Sequence, residues 1–178
     1  MEGCDRSVIA VNTTYRMAPW ADALFAMDYA WWAGHIKDVR DVFRGEKYSI
    51  NNIGKQFSDV MAVPKPFTAF GNSGAGAIAL AAKFKAAKVV LLGYDCQHTG
   101  GQRHWHGNHP KGLGNADSVK KWHDHFSKLR GSLSVDVINC TRQTALTVFR
   151  VGVLEEELSC KTPQITRPLA HCRQRLFD

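Results

Sequence analysis

Residues 70–95 read FGNSGAGAIALAAKFKAAKVVLLGYD, and this stretch decides the fold. It opens on a glycine-rich turn (Gly71, Gly74, Gly76) in which Asn72 or Ser73 is well suited to cap a helix. An Ala-rich helix follows to about Ala86. A very short turn then leads into the apolar strand KVVLLG and a polar stop at Asp95. A capped helix running almost directly into a buried strand is half of a parallel crossover.

Working outward, the same alternation repeats. Residues 6–11, RSVIAV, form an apolar, β-branched run that reads as a buried strand ending at Asn12. ADALFAMD, residues 21–28, is a second candidate strand, ending at an acidic residue. YAWWAGHIKDVRDVF has helical spacing, with Trp32, Ile36, Val39 and Phe43 along one side. GEKYSINN is a third short strand, and the two prolines of VPKPF force an extended connection.

Beyond residue 97 the pattern resumes. NADSVKKWHDHFSKL is a helix with Val119, Trp122, Phe126 and Leu129 at core spacing. LSVDVINC is the final buried strand, and TALTVFRVGVLEEEL supplies a last turn or helix. The expectation is a single α/β domain over residues 1–158, with a mostly parallel sheet flanked by helices. VIAV, LFAM, VVLL and VDVI are its adjacent interior strands, and 159–178 is a basic tail.

Composition bounds the function classes. With 178 residues and 44% hydrophobic content, the chain can close one real core and is short for two. Its apolar runs are too short to span a bilayer. The start MEGCDRSVIAVN lacks the pattern of a cleaved leader, so the expected location is cytoplasmic and no membrane partner is expected. Five cysteines (Cys4, Cys96, Cys140, Cys160, Cys172) include no C-x-x-C pair, which fits a reducing compartment better than a disulfide scaffold. Lys and Arg number 23 against 16 Asp and Glu, a net charge of +7 that favours phosphates, nucleotides or nucleic acid. The charge is spread rather than gathered in one run, so a nucleotide-type small molecule is preferred over nucleic acid.

In parallel sheets, ligands bind beyond the carboxyl ends of the strands. The residues there are Asn12, Asp28, Asp95 and the run Asn139, Cys140, Thr141. Taken singly, each can simply begin a turn. Taken together beside a glycine-rich helix start, they outline a ligand cleft. GNSGAGA matches neither the dinucleotide fingerprint nor the Walker loop. Two uses of its glycines stay open: close approach of a phosphate to free helix N–H groups, or close packing of helix on sheet.

GQRHWHGNHPKGLGN, residues 101–115, holds His104, His106 and His109 among four glycines. Zinc needs ligands placed around one point, and no second conventional cluster accompanies these three, so no metal is favoured. A loop that closes over substrate and carries a general base is the better use of glycine with histidine. His123 and His125 read as surface or boundary residues of the following helix.

VIAVN, then ADALFAMD with WW after it, then NSGAGAIALAAKFKAAKVVLLGYD, is a succession that resembles the Rossmann-like superfamily of 6-hydroxymethylpterin pyrophosphokinase-like proteins and bacterial sialyltransferases. Short phage and prophage proteins of this group are the nearest in pattern, over roughly residues 6–158. The resemblance implies that Asn12, with Ser73 and Gly74, contacts a cytidine nucleotide donor. It also implies that His106 or His109 acts as base on an acceptor hydroxyl, and that INCTRQTAL helps hold the donor. Members of the group carry a strand and a Gly-Pro-Ser-type phosphate turn ahead of the VIAVN-like strand, and residues 1–5 hold no such turn.

Three functions follow as expectations. The first is a nucleotide-dependent transferase moving a glycosyl or pyrophosphoryl group. Asn12, Asp28, Asn72, Ser73, Gly74, Asp95, Asn139 and Thr141 then shape the site of a nucleotide or nucleotide sugar, and His104, His106 and His109 supply the base. The alternatives are a nucleotide-binding protein without turnover, or a phage morphogenesis or host-interaction protein that keeps the fold.

Overall fold

The computed structural model describes residues 6–97 and 119–159. The chain runs β1 (Ile9–Val11), a 3₁₀ turn (Asn12–Arg16), β2 (Ala23–Phe25), α1 (Tyr29–Val42), β3 (Glu46–Ser49), α2 (Asn51–Gly54) and β4 (Met61–Ala62). It continues with α3 (Ser73–Lys83), β5 (Lys88–Leu91), α4 (Val119–Ser132), β6 (Asp136–Asn139), β7 (Arg150–Val151) and α5 (Leu154–Leu158). Strands pair in the order β1-β2-β3-β4 and, separately, β5-β6-β7. Every pair is parallel, with Val11 opposite Phe25 and Leu91 opposite Asn139. The α/β fold expected from the sequence is the observed one: parallel sheets flanked by helices.

Helix α3 ties the two strand sets together. Ala77 and Leu80 pack with Phe25, Tyr48 and Val63 of the first set. Ala75 and Ile78 pack with Leu91, Phe126, Leu129 and Val137 of the second. Small side chains permit this, because a Cβ on Gly76 would lie 2.4 Å from the Phe25 ring. A third cluster sets Trp31, Trp32, Val39 and Phe43 of α1 against Ala10, Tyr15 and Leu24.

Four details depart from the sequence reading. VIAV and VVLL are not paired neighbours: β1 and β5 each end their own set of paired strands, with α3 crossing between. LSVDVINC is not the last strand, because Arg150 and Val151 add β7 beside Ile138 and Asn139. A two-residue strand, β4, precedes the prolines. Helix α1 buries Trp31 and His35 as well as Trp32 and Val39, a wider face than the expected stripe, while Ile36 is half-buried. Local apolar content identifies a strand. Its partner depends on contacts between distant residues that no local pattern encodes.

Helix α3 stops at Lys83, where Lys85 takes φ 59 and turns the chain toward β5. In α4, Phe126 and Leu129 are buried as expected and Trp122 is half-buried.

Candidate functional site

All strands of a parallel sheet open their carboxyl ends on one side, and the first turn of α3 lies there. Asn72 is the N-cap: its Oδ1 accepts the Ala75 N–H at 2.7 Å. Ser73 turns the other way, its Oγ accepting the Met27 N–H at 3.1 Å, which docks the helix start on the end of β2. The Tyr94 hydroxyl, just past β5, donates to the Gly74 carbonyl at 3.2 Å. The ends of both strand sets therefore meet at this turn. Among the described residues no acceptor takes the N–H groups of Ser73 and Gly74. Two free donors at the positive end of an 11-residue helix are what an anion requires.

The two uses of the glycines divide between positions. A Cβ on Gly74 would sit 3.0 Å from the Tyr94 ring, and one on Gly76 would strike Phe25, so both serve close packing. Gly71 has φ +88, and its missing Cβ makes room for the His125 imidazole at 2.8 Å. His125 reaches this turn from α4, with Nδ1 3.3 Å from Nδ2 of Asn72. Helical periodicity placed His125 at a boundary and gave no sign of this partner, 53 residues away.

The ends of β5 and β6 are fastened by a closed hydrogen-bond clasp. Nδ2 of the fully buried Asn139 donates to the Tyr94 carbonyl at 3.1 Å and to Thr144 Oγ1 at 3.0 Å, while its Oδ1 accepts the Thr141 N–H at 3.1 Å. Thr141 Oγ1 accepts the Tyr94 N–H at 2.8 Å, and Thr144 Oγ1 donates to the Tyr94 carbonyl at 2.7 Å. The Asp95 carbonyl accepts the Ala145 N–H at 2.7 Å. Asn139 and Thr141 thus hold the segment carrying Tyr94, Asp95 and Cys96 in place. Arg142, exposed next to Thr141, adds a cation at this end of β6 that the sequence reading did not single out.

Thiol chemistry does not suit this site. Burial first, and the Asp95 charge second, push the Cys96 thiol up to about 12, and burial also raises Cys140, so neither supplies thiolate near neutrality. Burial likewise raises the Tyr94 phenol. Asp28 precedes α1 without capping it. It is solvent-exposed, yet neighbouring protein desolvates its carboxyl enough to raise its pKa above the ordinary carboxylate value.

Asn12 is the unusual member. It follows β1 with φ 49, in the left-handed region that asparagine tolerates better than most residues. Its Oδ1 is shielded from solvent and has no hydrogen-bond partner among the described residues.

His104, His106 and His109 lie outside the described residues, as does the tail beyond Ser159. Among the described residues no three His, Cys, Asp or Glu side chains converge as metal ligands, and no helix is long and apolar enough to cross a membrane. Comparison of the chain with protein-family models, curated proteins and solved structures returns no match in any of the three.

Proposed function

We propose that this chain binds a nucleotide or nucleotide sugar at the carboxyl ends of its strands and uses it as the donor in a glycosyl or pyrophosphoryl transfer. One observation carries the binding half: the orphan Oδ1 of Asn12 follows β1 on the side of the strands where α3 also begins. A buried acceptor left unpaired costs about 1–3 kcal/mol, and turning the Asn12 side chain outward to accept from a ribose hydroxyl or an exocyclic base amine relieves that cost. The N–H groups of Ser73 and Gly74, with Asn72 holding the turn, face the phosphate. Asp28, its carboxyl partly desolvated, and Asp95 border the nucleoside, while Asn139 and Thr141 act by holding the Asp95 segment.

The transfer half draws on the resemblance to sialyltransferase-like proteins, with His106 or His109 taking the acceptor proton and His104 beside them. Cytoplasmic location and phage origin belong to this same reading.

Thermal melts against CMP, CTP, ATP, GTP and a cytidine nucleotide sugar test the proposal. At one hundred times its dissociation constant, a true ligand adds about 2.7 kcal/mol, a plain shift of the melting point. No shift with any of the five sinks the nucleotide reading. A shift without turnover in the same samples leaves a binding protein and removes the transferase.

A further inference from the structure

The turn that carries Asn12 is held from the far side by a single carboxylate. Asp38, on α1, uses its Oδ2 to accept from three donors: the Tyr15 hydroxyl in a short hydrogen bond, Arg16 Nη2 at 2.8 Å and Arg16 Nε at 3.0 Å. Thr13 is tied to the same helix, its Oγ1 accepting from Trp31 Nε1 at 3.4 Å. Tyr15 is fully buried, its ring meeting Trp31 edge-on at 6.0 Å, and the Arg16 guanidinium lies 5.7 Å above that ring. Three of the four residues following Asn12 are therefore fastened to α1.

An exposed ion pair seldom matters by itself. This one differs because a buried tyrosine shares the carboxylate, and because the segment it fixes begins with a residue at positive φ. Releasing Asp38 removes the hydrogen bonds of Tyr15 and Arg16 together and leaves only the Thr13–Trp31 bond and the packing of the Tyr15 ring to hold the turn behind the left-handed Asn12.

We infer that Asp38 is a positioning residue for the nucleotide: it touches no ligand, and it holds the Asn12–Arg16 turn so that Asn12 meets the nucleoside. This rests on the nucleotide reading given above. Its two parts are tested separately in the full chain.

The first part needs no ligand. The side-chain amide signal of Asn12 in a ¹⁵N spectrum shifts or broadens in Asp38→Ala. It stays in place in Arg40→Ala, which breaks the pair that Arg40, on the same helix, makes with Asp59 beyond α2 (2.7 Å). An unmoved Asn12 signal overturns the inference whatever binds.

The second part uses whichever of CMP, CTP, ATP and GTP binds wild type tightest. Asp38→Ala weakens it about tenfold, the worth of one hydrogen bond to a ligand. Asn12→Ala does the same, and the double variant is no weaker than Asn12→Ala alone. Asp38→Asn, which keeps an acceptor for Tyr15, recovers most of the loss. Additive losses show that Asp38 does not act through Asn12 and overturn the inference. If Asp38→Ala fails to fold, Tyr15→Phe takes its place in the cycle. Wild type that binds none of the four, with an Asn12 signal that does move, removes the nucleotide reading and the ligand role of Asp38 with it.

Discussion

The amide of Asn72 bridges two elements, accepting the Ala75 N–H at 2.7 Å with its oxygen and facing Nδ1 of His125 at 3.3 Å with its nitrogen. The first bond fixes which end of the amide is oxygen, so Nδ2 is the donor in the second and Nδ1 of His125 the acceptor. Neutral His125 therefore carries its proton on Nε2, beside Gly71. Long-range ¹⁵N correlation of the His125 ring will show the Nε2–H tautomer. Asn72→Ala will lower stability to urea by about 1 kcal/mol, the usual cost of a lost N-cap, and will free the His125 tautomer.

On the proposed nucleotide reading, Asn12 separates stability from binding. Its φ of 49 suits glycine better than asparagine, and its buried oxygen is unpaired. Asn12→Gly will melt at or above wild type, because it relieves both penalties. The same variant will bind nucleotide more weakly by about tenfold, one hydrogen bond's worth. A variant that loses stability instead would show that the Asn12 side chain serves the fold.

Two glycine-to-alanine changes will have opposite signs. At Gly76 the new methyl meets the Phe25 ring at 2.4 Å, and overpacking of this kind costs about 1–3 kcal/mol. At Gly131, near the end of α4, nothing lies within 4 Å, and the gain is about 0.4–1 kcal/mol from a less flexible unfolded chain. Urea midpoints of the two variants measure both.

The Tyr15–Asp38 contact predicts losses of stability in acid and in base. Hydrogen bonds from Tyr15 and then Arg16 hold the Asp38 carboxyl below its ordinary value. Its stabilisation is present above the unfolded carboxylate pKa of about 4 and is lost as pH falls through the lower folded value. Burial, and after it the bond to Asp38, raises Tyr15 from 10.0 to about 12. That contribution is whole below pH 10 and is lost as pH rises toward about 12. Asp38→Asn will flatten part of the acid limb of a stability–pH curve, and Tyr15→Phe part of the alkaline limb.

If His106 or His109 is the base, alanine at that position will lower turnover by about 10²–10⁴-fold with nucleotide affinity nearly intact. Full turnover in the double variant His106→Ala, His109→Ala would remove both from the chemistry.

Local pattern alone determined much of this protein. Four apolar runs, three of them β-branched, with a capped alanine helix and short connections leave few arrangements besides a parallel α/β fold, because each element buries its face only against the others. The same pattern placed Asn12, Asp28, Asp95, Asn139 and Thr141 at strand ends, where polar residues stop apolar runs. What each does there was decided by tertiary structure. Asn139 spends its amide on Tyr94, Thr144 and Thr141, while Asn12 is left with an unpaired oxygen. His125 meets Asn72, and Asp38 takes Tyr15 and Arg16, across gaps of 53, 23 and 22 residues. Periodicity specifies which face of an element is buried. Only the packed chain brings two such faces together, so partners, and with them the split between polar groups satisfied by the fold and polar groups left unpaired, are set in three dimensions.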